Sequence, residues 1–341
     1  MQHSVHGAVT AKVSASVANL GPAFDVHSIS LQKPTIEVTL SESNSGLGLV
    51  RVTGPYARIV TTDPALHAGA RALKVLNQQL GISEAYVLEV NVEIPPRKGL
   101  GLSGAEAVGA VLCANRLFNL GLDMQAVVHL AAAAEPSHHM DNVAASALGG
   151  FNIISRNPLT KEPQIMTLRP PSDLGVAVVV PNIVKASTEA ARQVLPESVS
   201  REQYVRNMGY VARISAAFAK SDIRTIIQTL PWDGFVEPTR AEAGSYGRGV
   251  DSKFLREEKE ILLKDFHIAE TISGAGPSRA LWYSLSENNK SLRKRKGSLI
   301  DGAIEQVSTR LQSLGHNVEE VFITKPSVKG AILKSTAKSR T

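Results

Sequence analysis

After Ile94 the chain reads Pro95-Pro96-Arg97-Lys98-Gly99-Leu100-Gly101-Leu102-Ser103-Gly104-Ala105, a glycine-rich turn between an alternating run and an apolar one. Residues of these types at this spacing can bind phosphate. Gly99 and Gly101 let the main chain approach an anion with no side chain in the way. The N–H groups that open a following helix lack intrahelical acceptors, and the helix dipole favours negative charge there. Lys98 adds positive charge nearby, and Ser103 offers a hydroxyl to phosphate or Mg²⁺. The run lacks the Gly-Lys-Ser/Thr of a Walker A loop and is not read as a dinucleotide-binding turn. Taken alone, a plain tight turn also explains it.

The loop needs a strand before it and a helix after it. Val87–Ile94 alternates as a strand should, and Pro95-Pro96 ends it. A small-residue helix is predicted over about 103–118, and a second over 123–134. Upstream, strands are predicted at 8–16, 35–40 and 49–53, with a helix from Asp63-Pro64 to Leu80 closed by Gly81. Downstream come an Ala-rich segment after Asp141, strands at 151–154, 174–181 and 318–323, and helices at 188–194, 201–220, 251–263 and 298–314, while 268–272 leads into Gly274-Ala275-Gly276-Pro277. Strands and helices mix without strict alternation, so α+β is expected rather than a doubly wound sheet.

The chain has 341 residues, 43% hydrophobic and 20% charged, enough for one large domain or two intimate ones with a sizeable core. The single cysteine, Cys113, excludes an internal disulfide or thiolate metal cage and is expected in the core. No apolar run approaches the ~20 residues that span a bilayer, and no basic-then-apolar stretch opens the chain, so a cytoplasmic protein with no membrane partner is expected. The formal charge is +6, concentrated at Lys290, Arg293, Lys294, Arg295 and Lys296 and near the end at Lys334, Lys338 and Arg340. A solvated loop and a loose tail are the expected explanation. Aromatic residues are 5% and none interleaves the basic run, so no nucleic-acid partner is expected.

Two distant segments change the weight of the loop. They are Ser16-Val17-Ala18-Asn19-Leu20-Gly21-Pro22-Ala23-Phe24-Asp25-Val26 and Ile272-Ser273-Gly274-Ala275-Gly276-Pro277-Ser278. With the loop between them they resemble the three motifs of the GHMP small-molecule kinases, over nearly the whole chain to about Pro326. The first is most similar to the Ser-x-Ala-Asn-Leu-Gly-Pro-Gly-Phe-Asp of homoserine kinases. The resemblance implies an α+β GHMP kinase fold, with a ribosomal S5-like N-terminal part holding a left-handed βαβ unit and a ferredoxin-like C-terminal part. It divides the chain into an ATP-binding part at 1–170, a second part at 171–330 and a basic tail at 331–341. It implies ATP and Mg²⁺ as cofactors, L-homoserine as acceptor, O-phospho-L-homoserine for threonine biosynthesis as product, and allows a homodimer.

The family's site residues carry over by position. ATP would lie against Pro96, Lys98, Gly99, Leu100, Gly101, Leu102, Ser103, Gly104, Gly274 and Gly276. Ser103 and Glu135 match the metal ligands. Asn19, Asp25, His139, Asp141, Asn142, Thr188, Arg192 and Arg240 match residues facing the substrate, with Asp25 a conceivable base. Chemistry supports the set, because a zwitterion needs a carboxylate for its ammonium and a guanidinium fork for its carboxylate.

The sequence departs from the pattern in three places. Leu102 stands where the family has the first serine, Gly104 where an alanine follows the second, and Ala23 where a glycine precedes Phe24. A positive φ at position 23 would strain an alanine. Other acceptors of the pantoate, shikimate or mevalonate type, and a non-catalytic ligand binder, stay open. Singly, each residue has a plainer explanation. Asp141-Asn142 and Thr188 could cap helices, His138 and His139 could be a surface pair, and Arg192 and Arg240 could be solvated.

Overall fold

A computed structural model describes residues 7–43, 48–81, 86–135, 139–160, 162–184, 188–293 and 297–334. β1 (Val9–Ala18) and β2 (His27–Glu42) pair antiparallel. β3 (Leu49–Thr53) and β4 (Tyr86–Val92) run parallel, which requires a crossover, and α1 (Ala68–Leu80) supplies it. α1 begins later than Asp63-Pro64 suggests. Asp63 instead closes a turn, accepting the Ala65 N–H at 2.9 Å, and His67 caps the helix, its Nδ1 accepting from Gly69 N at 3.2 Å. Gly81 ends α1 in the left-handed conformation, as expected.

α2 (Leu102–Leu117) leaves the glycine loop and packs across β1 and β2. Its small residues permit the close approach, for a Cβ on Gly109 would stand 2.5 Å from Val38 Cγ2. Cys113 is a core residue as expected, its S–H donated to the Val38 carbonyl at 3.3 Å and its thiol pushed up to about 12 by burial. α3 (Met124–Ala133) and α4 (Asp141–Leu148) complete this layer. β5 (Phe151–Arg156) pairs with the start of β2, and β6 (Pro163–Leu168) pairs with β5.

β7 (Leu174–Pro181) is buried at every position. Val176, Val178 and Val180 join the core beneath the first sheet, whereas Ala177 and Val179 join a second core. A strand covered on both faces has no polar side to show, hence its unbroken apolar run. There follow α5 (Thr188–Gln193), α6 (Arg201–Ala219), α7 (Ile223–Thr229), α8 (Val236–Glu242) and α9 (Ser252–Phe266). β8 (Ala269–Ile272) and β9 (Arg279–Ser284) flank the third motif's turn. α10 (Leu285–Arg293), α11 (Leu299–Ser313), β10 (Val318–Thr324) and β11 (Ile332–Leu333) end the described chain. The first sheet runs β11-β1-β2-β4-β3 with β5 and β6 branching from β2, and the second is antiparallel, β10-β7-β9-β8. α9 and α11 cover the second sheet's outer face through Leu255, Leu262, Ala303 and Val307.

β6, α7, α8, β8, β9, α10 and β11 have no counterpart among the predicted elements. Each is 9 residues or fewer, too short for a clear period. Two expectations about the basic segments need correction. Lys290 and Arg293 lie in α10 rather than in a loop, while residues 294–296 fall outside the described chain. The segment after 330 is not a tail throughout, because Ile332 and Leu333 pair with Lys12 and Ala11 of β1 and Lys334 pairs with Glu37. Lys338 and Arg340 lie outside the described residues. Among the described residues no helix is long and apolar enough to cross a membrane.

The packing of α2 gives a test of helix propensity against sterics. Alanine in a helix interior gains about 1 kcal/mol over glycine, whereas overpacking a core costs about 1–3 kcal/mol. Gly109→Ala is therefore expected to lower the urea midpoint, since its Cβ would meet Val38 at 2.5 and 2.8 Å. A raised midpoint would show that α2 is free to lift from β2.

Candidate active site

The glycine loop aims α2 into a cleft between the two sheets. Gly101, in the left-handed region at φ 72°, is the N-cap and provides no side-chain cap. The first intrahelical bond is Ala105 N to Gly101 O at 3.0 Å, so the amides of Leu102, Ser103 and Gly104 have no acceptor within the helix. An anion fits there. Gly99, Gly101 and Gly104 do share the Gly-x-Gly-x-x-Gly spacing of dinucleotide turns, contrary to the expectation above. Topology excludes such a turn, because α2 leads through α3 and α4 into β5, which is antiparallel to β2.

The loop residues divide by role. Leu100 is buried, and its carbonyl accepts from Ser16 N at 3.2 Å. Pro96 is half-buried at the loop's entry. Leu102, the departure from the family pattern, packs its side chain against the main core. Lys98 reaches across to the second sheet. Its ammonium donates to the Pro181 carbonyl at 2.6 Å and the Ile183 carbonyl at 3.1 Å and pairs with Glu319 at 2.8 Å, so its charge ties the loop to the second sheet. Gly274 and Gly276 have positive φ, and their turn seats directly on the loop. Ser273 Oγ donates to Gly99 O at 2.7 Å, and a Cβ on Gly99 would stand 2.1 Å from the Ser273 carbonyl oxygen.

Ser103 and Glu135 come together although 32 residues separate them, Ser103 Oγ donating to Glu135 Oε2 at 3.0 Å. Burial raises the Glu135 pKa, and its Oε1 has no partner among the described residues. Hard oxygen donors of this kind beside a helix N-terminus fit Mg²⁺, which takes few protein ligands and fills its shell with water and phosphate. Among the described residues no group of three or more His, Cys, Asp and Glu could hold a metal, so this site needs such outside ligands.

Nearby is a cavity of about 290 Å³ lined by Asp25, His139, Asp141, Ile154, Arg156 and Arg192 among others. It adjoins a smaller one that reaches Asn19, Ser103, Glu135 and Gly274. Arg192 on α5 holds Asp25 through Nη2, at 2.7 Å from Oδ1 and 2.6 Å from Oδ2, and donates from Nε to His139 Nε2 at 3.0 Å. Burial and then the Arg192 charge lower the His139 pKa. Asp141 is buried in the first turn of α4, and burial and the Asp25 charge push its carboxyl up to about 7. The Phe24 ring lies under both guanidiniums, 4.9 Å from that of Arg192 and 5.2 Å from that of Arg240.

Three expected substrate contacts are occupied by the protein itself. Asn19 donates to Gly274 O at 2.7 Å and accepts the Asp25 N–H at 3.2 Å, so it joins the third motif to Asp25. Asn142 accepts the Ser16 hydroxyl at 2.9 Å, and that hydroxyl would stand 2.2 Å from a Cβ on Gly101. Arg240 is 2% exposed, with Nε donated to Ala191 O at 2.9 Å and Nη1 lying 3.4 Å from Gly274 O. Asn19, Asn142 and Arg240 still border the smaller cavity. Thr188 opens α5, while its side chain and His138 lie outside the description. Asp141 and Asn142 do not cap α4, whose N-cap is Met140.

Ala23 is not among the residues with positive φ. The turn takes its left-handed conformations at Asn19, Leu20, Gly21 and Asp25, so the alanine carries no backbone strain. Glu106 has no place among the expected residues, yet burial and the nearby Glu135 charge push its carboxyl up to about 8. A lone acid in the apolar run Ala105–Ala110 was the signal available in the sequence.

Residues 68–150 match the family model of the GHMP kinases N-terminal domain. Homoserine kinase of Methanococcus maripaludis is 30% identical over 266 residues, covering 76% of this chain and 83% of the relative. Homoserine kinase of Pyrococcus abyssi is 30% identical over 299 residues, covering 82% and 88%. The crystal structure of homoserine kinase from Cytophaga hutchinsonii superposes with a TM-score of 0.78 at 21% identity, covering 98% of this chain and 99% of that one. With two relatives at this identity covered over more than four-fifths of their length, and a cleft that joins a glycine-loop helix to an acid- and arginine-lined pocket, the chain belongs to the homoserine kinase family of the GHMP kinases.

Proposed function

We propose that the protein transfers the γ-phosphoryl group of ATP to the side-chain hydroxyl of L-homoserine, with Mg²⁺ as the metal. The observation that carries this reading is the juxtaposition of the Asp25–Arg192–His139–Asp141 cluster with the uncapped N-terminus of α2. A zwitterionic amino acid is complementary to that cluster. Arg192 takes the substrate carboxylate in exchange for Asp25, and Asp141 takes the ammonium. Asp25, released from Arg192, orients the hydroxyl and receives its proton.

The amides at 102–104 and the 99–104 loop hold the phosphates, and the helix dipole offsets their charge. Ser103 and Glu135 would hold the metal, which would supply positive charge to neutralise the phosphate oxygens. In the transfer the hydroxyl oxygen bonds to the γ-phosphorus while the bond to the bridging oxygen breaks and ADP leaves.

ADP release is expected to require L-homoserine, as a coupled assay would read. Turnover with pantoate, shikimate or mevalonate in its place would reassign the acceptor, and ATP binding without turnover of any of them would make the protein a ligand binder. Arg192→Ala is expected to raise the homoserine KM by at least ~10-fold while the ATP KM stays within about twofold. A KM for homoserine that does not move would remove Arg192 from the pocket.

Asp141 must be ionised to pair an ammonium, and its carboxyl titrates at about 7 in the folded protein. The kcat/KM for homoserine should therefore rise with pH through this value, and Asp141→Asn should lose that limb along with most of the activity. The same group opposes folding when it ionises, since its folded pKa lies above its unfolded one. Stability lost on this account grows as pH rises from about 4 to about 7. Asp141→Asn should thus raise Tm at alkaline pH with no gain at acid pH. An equal change in Tm across the range would disprove the titration.

A further inference from the structure

Behind the cleft α8 and α9 carry charges that the chemistry above does not use. Lys259 on α9 is 5% exposed and donates to the Pro231 carbonyl at 2.9 Å and to Glu237 Oε2 on α8. Glu237 is equally buried, and its other oxygen, Oε1, accepts the main-chain N–H of Ile272 at 2.9 Å. Ile272 is the last residue of β8 and the first of the third motif's turn. At the turn's far end Arg279, fully buried, pairs with Glu270 at 3.0 Å and donates to the Pro277 carbonyl at 3.2 Å.

The turn between these two anchors grips the phosphate loop. Ser273 donates to Gly99 O at 2.7 Å, Gly274 N donates to Ala18 O at 3.1 Å, and the glycines leave the two main chains in contact. Burying an ammonium and a carboxylate together is costly, and replacing such a pair by apolar residues is often neutral or stabilising. A stability role therefore explains the pair poorly. Its geometry has a direction instead, because one Glu237 oxygen is held by the cation and the other is aimed at the turn.

We propose that Glu237 and Lys259 are positioning residues for nucleotide binding, holding the 272–278 turn at the height where it presses the 99–101 segment into its phosphate-binding shape. Neither residue reaches the cleft. Lys259 fixes the Glu237 carboxylate, the carboxylate fixes Ile272, and the turn fixes Gly99. This rests on the reading of 99–104 as the phosphate loop, and the two fail separately. Homoserine-dependent turnover by the unaltered enzyme tests that reading, whereas ATP affinity without acceptor tests this one.

The experiment is calorimetric titration of the folded protein with Mg-ATP in the absence of homoserine, beside the homoserine KM at saturating ATP. Lys259→Met should weaken ATP about tenfold, on the scale that sub-ångström misplacement of a binding loop produces, with the homoserine KM within about twofold. The double variant Glu237→Gln with Lys259→Met restores a neutral acceptor for Ile272 and should recover most of that affinity. Ser273→Ala, which removes the grip without touching a buried charge, should reproduce the weak ATP binding. Unchanged ATP affinity in a folded Lys259→Met protein, or ATP and homoserine weakening together, would overturn the proposal. If Lys259→Met does not fold, Ser273→Ala decides alone, and unchanged ATP affinity there overturns it.

Discussion

The contact between Gly99 and the Ser273 carbonyl is the one on which the cleft depends. No other residue type fits at position 99, since a Cβ would stand 2.1 Å from that oxygen and φ is +78°. Through this contact two segments 174 residues apart become one wall. Asn19 joins from the first motif by donating to Gly274, and Lys98 ties the same loop to the second sheet by three oxygens. The N-terminus of α2 is thereby held open. It lacks a side-chain cap and faces a cleft rather than packed protein, which is an unstable arrangement until an anion satisfies it.

Electrostatics in the cleft follow from burial. Asp141 and Glu106 sit where a charged carboxylate is poorly solvated, and both titrate near neutrality. Asp25 differs by lying against Arg192, with its side chain 40% exposed. Two acids that line one cavity thus have different surroundings, the one paired with a guanidinium and the other buried in the first turn of α4. The Arg192–Asp25 pair also holds the two side chains in one mutual geometry, Nη2 lying within 2.7 Å of both carboxylate oxygens.

Much of the fold could be read from local pattern. The alternation at 35–40 and 87–92 and the continuous apolar run at 174–181 mark strands because side chains on a sheet face either core or water. α8 escaped notice because 7 residues with Pro238 inside them carry no period, yet it holds both Arg240 and Glu237. Leu102 looked like a lost hydrogen bond in the sequence. In the fold its side chain packs against the core, and its amide opens α2 with no acceptor inside the helix, so what survives is a main-chain donor that any residue but proline carries. The alanine at 23 resolves in the same way, because the left-handed conformation sits at Gly21, where a Cβ would meet the Leu230 carbonyl at 2.0 Å.

By itself the sequence determined the residue types of the site and the order of its motifs. Gly99, Gly101 and Ser103 specify a phosphate turn, and Asp25, Asp141 and Arg192 specify a pocket for opposite charges, because those functions reside in the side chain or in its absence. Tertiary structure decided which groups were free to act. Asn19, Asn142, Lys98 and Arg240 have the right chemistry for a ligand, but each is held by main-chain or side-chain oxygens that arrive from elsewhere in the chain. Whether a polar group meets a substrate or a carbonyl depends on which distant segment folds against it, and local sequence carries no record of that distance.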